Sequence, residues 1–163
     1  MKKNKLDKIK KILKIILILI WMLIVFHFSS EGGNKSEGTS RNFSQKVLNT
    51  IVSSDKSKNE DMLKHADKII RKLAHYTLYT VGGIIIINYF YTTDKSQKNK
   101  IIYSVILGGG YAISDELHQL FVGGRSARIL DVGIDTLGII TGVAIYLLII
   151  KFINKHKNKK LIN

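Results

Sequence analysis

The sequence predicts an all-α membrane protein, a bundle of four transmembrane helices with an outer loop that contains short amphipathic helices. The first observation behind this prediction is the set of apolar runs in the 163 residues, which lie at Ile12–Phe28, Leu73–Phe90, Ile101–Ile113 and Ile129–Ile150. A helix that spans a bilayer needs about 20 mostly apolar residues. The second and fourth runs reach that length and the first run is close to it.

The second observation is the position of the lysines, which cluster at the ends of the apolar runs. With four spans, the N-terminal tail, the loop at Lys95–Lys100 and the C-terminal tail fall on one side of the membrane. Because cytoplasmic loops carry an excess of Lys and Arg, we expect both termini in the cytoplasm. The predicted organisation is a basic tail (1–11), a membrane domain (12–151, with spans at about 12–28, 72–91, 101–121 and 129–151) and a second basic tail (152–163).

The first apolar run follows a lysine-rich tail, which is also the order of segments in a secretory signal peptide. A cleaved signal ends in a small-x-small site, and Phe28–Ser30 is a poor one. We therefore expect the first helix to stay in the protein. The formal net charge of +14 does not indicate a nucleic-acid partner, because the chain has no separate basic domain to carry a groove-binding element. The absence of cysteine excludes disulfides and thiolate chemistry.

The segment between the first two runs begins with a Gly- and Ser-rich stretch at 31–40, which is typical of a flexible loop. Two apolar stripes at helical spacing follow, at Val47–Val52 and at Met62–Leu73. Such stripes suit helices that lie in the headgroup region of a membrane. Packing of the same stripes against the bundle explains them equally well, and both interpretations stay open.

The third run is polar where a membrane helix should be apolar. Ile101–Ile113 covers only about 20 Å at 1.5 Å per residue, so a spanning helix must include Ser114–Gln119. A carboxylate at the bilayer centre costs on the order of 2.5–3.5 kcal/mol on insertion scales, so such groups face the bundle interior and usually mark function. This stretch is the strongest candidate site in the chain.

The four-span topology brings polar residues of three helices to the outer leaflet. Within each helix the residues that are three or four apart lie on one face, and Glu116 flanks the face of Asp115, His118 and Gln119. The set consists of Arg71, His75 and Tyr79 on the second helix, Asp115, Glu116, His118 and Gln119 on the third, and Asp131 and Asp135 on the fourth, with Arg125 and Arg128 in the connection. We expect the guanidinium groups to pair with the carboxylates and to form a charged pocket.

Several roles are open for this set. The whole set could act as a brace that fixes helix register, and His75 alone fits a hydrogen bond between helices as well as a base. If the protein is an enzyme, the catalytic candidates are Asp115, Glu116 and His118. The set contains metal-ligand residue types but no ligand spacing such as HExxH, so we expect no metal and no cofactor.

These residues also carry a family resemblance that covers roughly residues 20–145. The chain resembles the VanZ-like family, which is named for an accessory protein of glycopeptide-resistance clusters. The matching pieces are Phe28-Ser29-Ser30, Arg71-Lys72-xx-His75-xxx-Tyr79, Ser114-Asp115-Glu116-xx-Gln119-xx-Val122-xx-Arg125 and Asp131-xxx-Asp135-xx-Gly138. The chain departs from the family in having Glu31 where glutamine is frequent, and Val122–Gly124 where proline is frequent.

The resemblance implies a small multi-pass protein of the bacterial plasma membrane, and for the founding member it implies low-level resistance to the lipoglycopeptide teicoplanin. We expect a protein that binds or handles an envelope lipid or lipoglycopeptide, with the lipid bilayer as its surroundings. Two alternatives are an enzyme that hydrolyses or transfers a lipid-linked phosphate and a structural or partner-binding bundle. The sequence leaves the oligomeric state open.

Overall fold

A computed structural model describes residues 2–30, 59–122 and 128–162 of the chain. These residues form helices and no strand, which confirms the predicted all-helical class. The helices are α1 (Lys2–Ser30), α2 (Asn59–Phe90), α3 (Gln97–Gln119) and α4 (Ile129–Ile162). Three of the four contain a stretch that is long and apolar enough to cross a membrane, at Lys5–Ser30, Lys68–Phe90 and Ile129–Asn158.

Helix α3 is not among these three candidate spans. It has 23 residues, and at 1.5 Å per residue it extends for about 35 Å, which is enough to cross a hydrocarbon core of about 30 Å. Its composition, not its length, keeps it from being a candidate span, because lysines occupy its first turn and Ser114–Gln119 occupies its last turns. Its partners in the bundle must therefore compensate for its polar end.

The helices extend beyond the predicted spans. Helix α2 begins at Asn59, so the apolar stripe at Met62–Leu73 belongs to the same continuous helix as the second span rather than to a separate one. Helix α3 begins after Ser96, whose side chain accepts a hydrogen bond from the backbone N–H of Asn99. The stripe at Val47–Val52 lies outside the described residues.

Consecutive helices run in opposite directions. The Lys14 ammonium group on α1 donates to the side chain of Asn88 at 2.8 Å, and Trp21 Nε1 donates to the carbonyl oxygen of Leu78 at 2.9 Å, so α1 and α2 are antiparallel. Helices α2 and α4 share the largest interface and run parallel. The second half of α1, the first part of α4 and the polar end of α3 therefore meet at one end of the bundle, together with the middle of α2.

The core lies between α1, α2 and α4 and is built on aromatic and β-branched side chains. The Trp21 and Tyr79 rings meet edge to face, with their centroids 5.6 Å apart and their planes at 87°. Tyr79, Ile86, Ile87 and Ile139 are fully buried. The Trp21 ring thus anchors α1 beside the part of α2 that precedes its most apolar stretch.

Two glycines of α4 allow its close contact with α2. A Cβ atom on Gly138 would lie 2.6 Å from the carbonyl oxygen of Tyr76, and one on Gly142 would collide with the carbonyl oxygen of Thr80. Real Cβ atoms do not approach backbone oxygens this closely. Glycines four residues apart therefore let the two backbones touch, as in small-xxx-small contacts between membrane helices.

Candidate functional site

A group of buried and half-buried polar residues lies at the end of the bundle where α1 and α3 finish and α4 begins. We call it the polar cluster, and its members are Ser29, His75, Tyr79, Asp115, Glu116, Gln119, Asp131 and Asp135. Ser29 and Tyr79 have no exposed surface, and Asp115 and Asp135 are each 3% exposed. Carboxylates are almost never buried to this extent unless they are paired, so the partners of each one decide what the cluster can do.

Gln119 holds α1 and α3 together within the polar cluster. Its side-chain Nε2 donates a hydrogen bond to Ser29 Oγ at 2.8 Å and another to Asp115 Oδ2 at 3.2 Å. All three side chains are buried. The amide therefore fixes the orientation of the Asp115 carboxylate and uses one of its two oxygens.

Two further carboxylates are held from α2 and from the start of α4. Lys72 Nζ lies 2.7 Å from Asp131 Oδ1, in an ion pair whose two side chains are 41% and 32% exposed. The backbone N–H of Arg128 donates to Glu116 Oε1, which joins the end of α3 to the residue just before α4. Both carboxylates therefore have a donor, and of the two only Asp131 is partly exposed, since Glu116 is buried.

His75 and Asp135 form the inner part of the polar cluster. His75 Nδ1 lies 3.7 Å from Asp135 Oδ2, within ion-pair range but beyond hydrogen-bond length. One ligand-type atom from each of His75, Asp115 and Asp135 lies within 4.8 Å of the other two. The three residues come from α2, α3 and α4, so the helix packing, not local sequence, brings them together.

Two oxygen atoms beside this group have no hydrogen-bond partner among the described residues. They are the Tyr79 hydroxyl and Asp115 Oδ1, and both are buried. The Tyr79 hydroxyl lies within electrostatic range of both Asp115 and Asp135. Unpaired buried polar atoms cost roughly 1–3 kcal/mol each, and the Tyr79 hydroxyl is close enough to the Asp115 carboxylate to interact with it, so both atoms lie in the same buried place.

His118 lies apart from these three residues. Its ring is tilted by 42° against the ring of Phe26 on α1, at a centroid distance of 4.5 Å, and its Nδ1 is buried without a partner in the part of the chain that the structure describes. It is not in the group of closely spaced ligand atoms. The histidine that lies close to a carboxylate in the structure is thus His75, beside Asp135, whereas the sequence analysis named His118 among the catalytic candidates.

The predicted pairing of carboxylates with arginine side chains is not found at Glu116 and Asp131. Glu116 is bound by the backbone of Arg128, whose side chain is exposed, and Asp131 pairs with lysine rather than arginine. Arg71 is half-buried on α2, one turn before His75, and has interactions of its own. Arg125 lies outside the described residues. We call Arg71, Lys72 and Arg128 the basic rim.

Two residues of the site were not predicted as such. Ser29 entered the sequence argument only as part of a family motif, and Lys72 only as a neighbour of Arg71. Ser29 continues the buried face of α1, since Trp21, Val25 and Ser29 are four residues apart. The position of Ser29, a polar residue at the end of an apolar stripe, was the feature of the sequence that could have indicated it. Lys72 has no comparable signal, because the adjacent Arg71 is basic as well and nothing in the sequence distinguishes the two.

Comparison with known families gives one finding. The family described as VanZ/LLP1 matches residues 14–151, which is most of the chain and includes all four helices in part or in full. Comparison with curated proteins and with solved structures gives no match. The matched range contains every residue of the polar cluster and of the basic rim.

Proposed function

Because the chain belongs to the VanZ/LLP1 family, we propose that it is a multi-pass protein of the bacterial plasma membrane that binds or handles an envelope lipid or lipoglycopeptide at the outer leaflet, in an accessory role in teicoplanin-type resistance. The observation that carries the proposal is the burial of an acidic polar cluster at one end of a bundle with membrane-spanning helices. Ionisable groups in such surroundings are expensive and usually functional.

In the proposed topology all four helices cross the membrane and the polar cluster faces outward. Consecutive helices are antiparallel. Lys95 in the connection between α2 and α3, Lys98 and Lys100 in the first turn of α3, and the two basic tails all lie at the end opposite the polar cluster. The positive-inside rule favours the cytoplasm for this lysine-rich end. Residues 1–11 and 152–163 are then cytoplasmic tails of a membrane domain at 12–151.

The residues around the cluster match the two parts of an amphiphilic ligand. The basic rim offers guanidinium and ammonium donors to a phosphate or carboxylate group. Beside it, Phe121 is 87% exposed, Ile129 is 91% exposed and Leu130 is 75% exposed, at the end of α3 and the start of α4. Such large exposed apolar side chains beside a charged site suit an acyl chain.

Direct binding tests the proposal. The purified chain in phosphatidylcholine nanodiscs is titrated with teicoplanin and with a glycopeptide that lacks the acyl chain, and bound ligand is measured after separation. We expect teicoplanin to bind more tightly, and Arg71→Lys to weaken binding because lysine lacks the bidentate geometry of arginine. Lys68→Arg, at an exposed position one turn away on α2, is the matched control. Equal binding by wild type and Arg71→Lys would remove the basic rim from the proposal.

The second candidate is an enzyme that hydrolyses or transfers a lipid-linked phosphate. The observation in its favour is the short distance between His75 and Asp135, which would hold the imidazole as a general base. Release of phosphate from a lipid phosphate by the purified chain, lost in Asp135→Asn, supports the enzyme. Binding without turnover supports the first candidate.

A further inference from the structure

We propose that His75, Asp115 and Asp135 form a binding site for a divalent transition-metal cation. The starting point is their ligand geometry. One ligand-type atom from each side chain lies within 4.8 Å of the other two. Ligands that surround one cation at 2.0–2.6 Å are at most about 4–5 Å apart, so this spacing is compatible with a shared ion.

Unsatisfied atoms next to the three residues are a second observation. Asp115 Oδ2 accepts a hydrogen bond from Gln119, whereas Asp115 Oδ1 has no partner among the described residues although it is buried. The Tyr79 hydroxyl is buried beside them and interacts with the Asp115 carboxylate, within electrostatic range of Asp135. A cation in this place provides the partner that the Asp115 oxygen lacks, and a water bound to the cation reaches the hydroxyl.

Charge balance is the third argument. The carboxylates of Glu116, Asp131 and Asp135 lie within electrostatic range of Asp115 or of one another. Asp131 is neutralised by Lys72, and Glu116 is held by a backbone N–H. Asp115 and Asp135 are the two buried carboxylates grouped with His75, and a dication balances the charge of both without protonating either.

The donor set also selects the class of metal. Imidazole nitrogen favours Zn²⁺ and its neighbours in the transition series, whereas carboxylate oxygens favour Mg²⁺, Ca²⁺ and Mn²⁺, so a mixed set fits Zn²⁺ or Mn²⁺ best. Three protein ligands leave a coordination position for water or a ligand group. Gln119 supplies the outer hydrogen bond that orients a ligating carboxylate. The site draws its ligands from three helices, which is why no local spacing in the sequence indicates it.

Metal titration of the full chain tests the inference. The protein is purified in detergent, its affinity tag is removed, and it is treated with EDTA and titrated with Zn²⁺ or Mn²⁺. Bound metal is measured by mass spectrometry after gel filtration. We expect about one ion per chain in wild type, and affinity at least about ten-fold weaker in Asp115→Asn and Asp135→Asn, since even outer-shell changes cost 10–100-fold. Asp94→Asn makes the same change at the exposed connection between α2 and α3, outside the polar cluster, and is the matched control that keeps the ion.

Two outcomes overturn the site. The first is a wild-type protein that binds neither Zn²⁺ nor Mn²⁺. The second is equal binding by wild type and by the Asp115→Asn and Asp135→Asn variants, because the metal would then be bound adventitiously elsewhere. A shift of the thermal unfolding midpoint of wild type by Zn²⁺ or Mn²⁺ gives a reading that needs no variant, since an ion that binds only the folded state raises the midpoint. The metal site and the proposed function are tested independently, because teicoplanin binding can be measured in EDTA, where no metal is bound.

Discussion

Gln119 Nε2 donates a hydrogen bond to Ser29 Oγ over 2.8 Å, and this bond joins the last turn of α3 to the last turn of α1. Helix α3 is the one helix of the described chain that is not apolar enough to count as a candidate span. A buried bond at its polar end is therefore a part of what keeps α3 in the bundle. The same amide orients Asp115, so the packing of α3 and the geometry of the site depend on one side chain.

Gln119→Leu should destabilise the protein. The substitution removes the donor to Ser29 and to Asp115 Oδ2, which leaves a buried hydroxyl and a carboxylate without their partner. We expect a loss of about 1–3 kcal/mol, the usual cost of an unsatisfied buried polar group. Thermal unfolding in detergent measures it. Gln97→Leu makes the same change at an exposed position in the first turn of α3 and should have little effect; an equal loss in both variants would contradict the role given to Gln119.

Gly142→Ala should separate α2 from α4. The new methyl group collides with the carbonyl oxygen of Thr80, which belongs to the backbone and cannot move aside. Overpacking of this kind costs about 1–3 kcal/mol. Gly133→Ala on the same helix has nothing within 4 Å of the new methyl group, so it should be neutral or stabilising, because alanine favours helix. Similar unfolding midpoints for the two variants would argue against the close contact.

The Lys72–Asp131 pair should contribute little to stability. Its side chains are 41% and 32% exposed, so solvent screens the attraction despite the 2.7 Å distance. A double-mutant cycle with Lys72→Met and Asp131→Asn should give a coupling below about 1 kcal/mol, as for most exposed pairs. Added salt should reduce the coupling further. A coupling of several kcal/mol would mean that the pair is desolvated in the folded protein.

Single cysteines should report the topology, since the natural chain contains none. A membrane-impermeant maleimide added to intact cells should label Ser30→Cys and Phe121→Cys at the end with the polar cluster. Asp94→Cys, at the exposed connection between α2 and α3, should react only after the cells are opened. Labelling of Asp94→Cys and Phe121→Cys from the same side would show that α3 does not cross the membrane.

Much of the fold followed from the sequence because apolar runs and lysine positions are local signals. Leu73–Phe90 and Ile129–Ile150 were recognised from length alone, and both lie within helices that the structure describes. Their outer limits were not predictable in the same way. The turns of α4 beyond Lys151 are helical although no apolar run marks them, and the stripe at Met62–Leu73 gave no sign that it continues into the second span.

The convergence of polar residues could be argued from spacing and helix direction, but their pairing could not. Which side chain meets Asp131 depends on the rotation of α2 against α4, and that rotation is set by contacts such as Gly142 with Thr80. The sequence argument therefore named arginines as partners where the structure has Lys72 and a backbone N–H. The grouping of His75 with Asp115 and Asp135 depends on three helices at once and has no local signature.

The most direct measurement of the central claim is teicoplanin susceptibility of a Gram-positive host that expresses the wild type, Asp115→Asn or Asp94→Asn at equal abundance in the membrane. Asp94→Asn makes the same charge change at the exposed connection opposite the polar cluster. We expect wild type and Asp94→Asn to protect the host, and Asp115→Asn to leave it as susceptible as the empty host. Protection by all three proteins would make Asp115 a structural brace, and protection by none would contradict the proposed role in resistance.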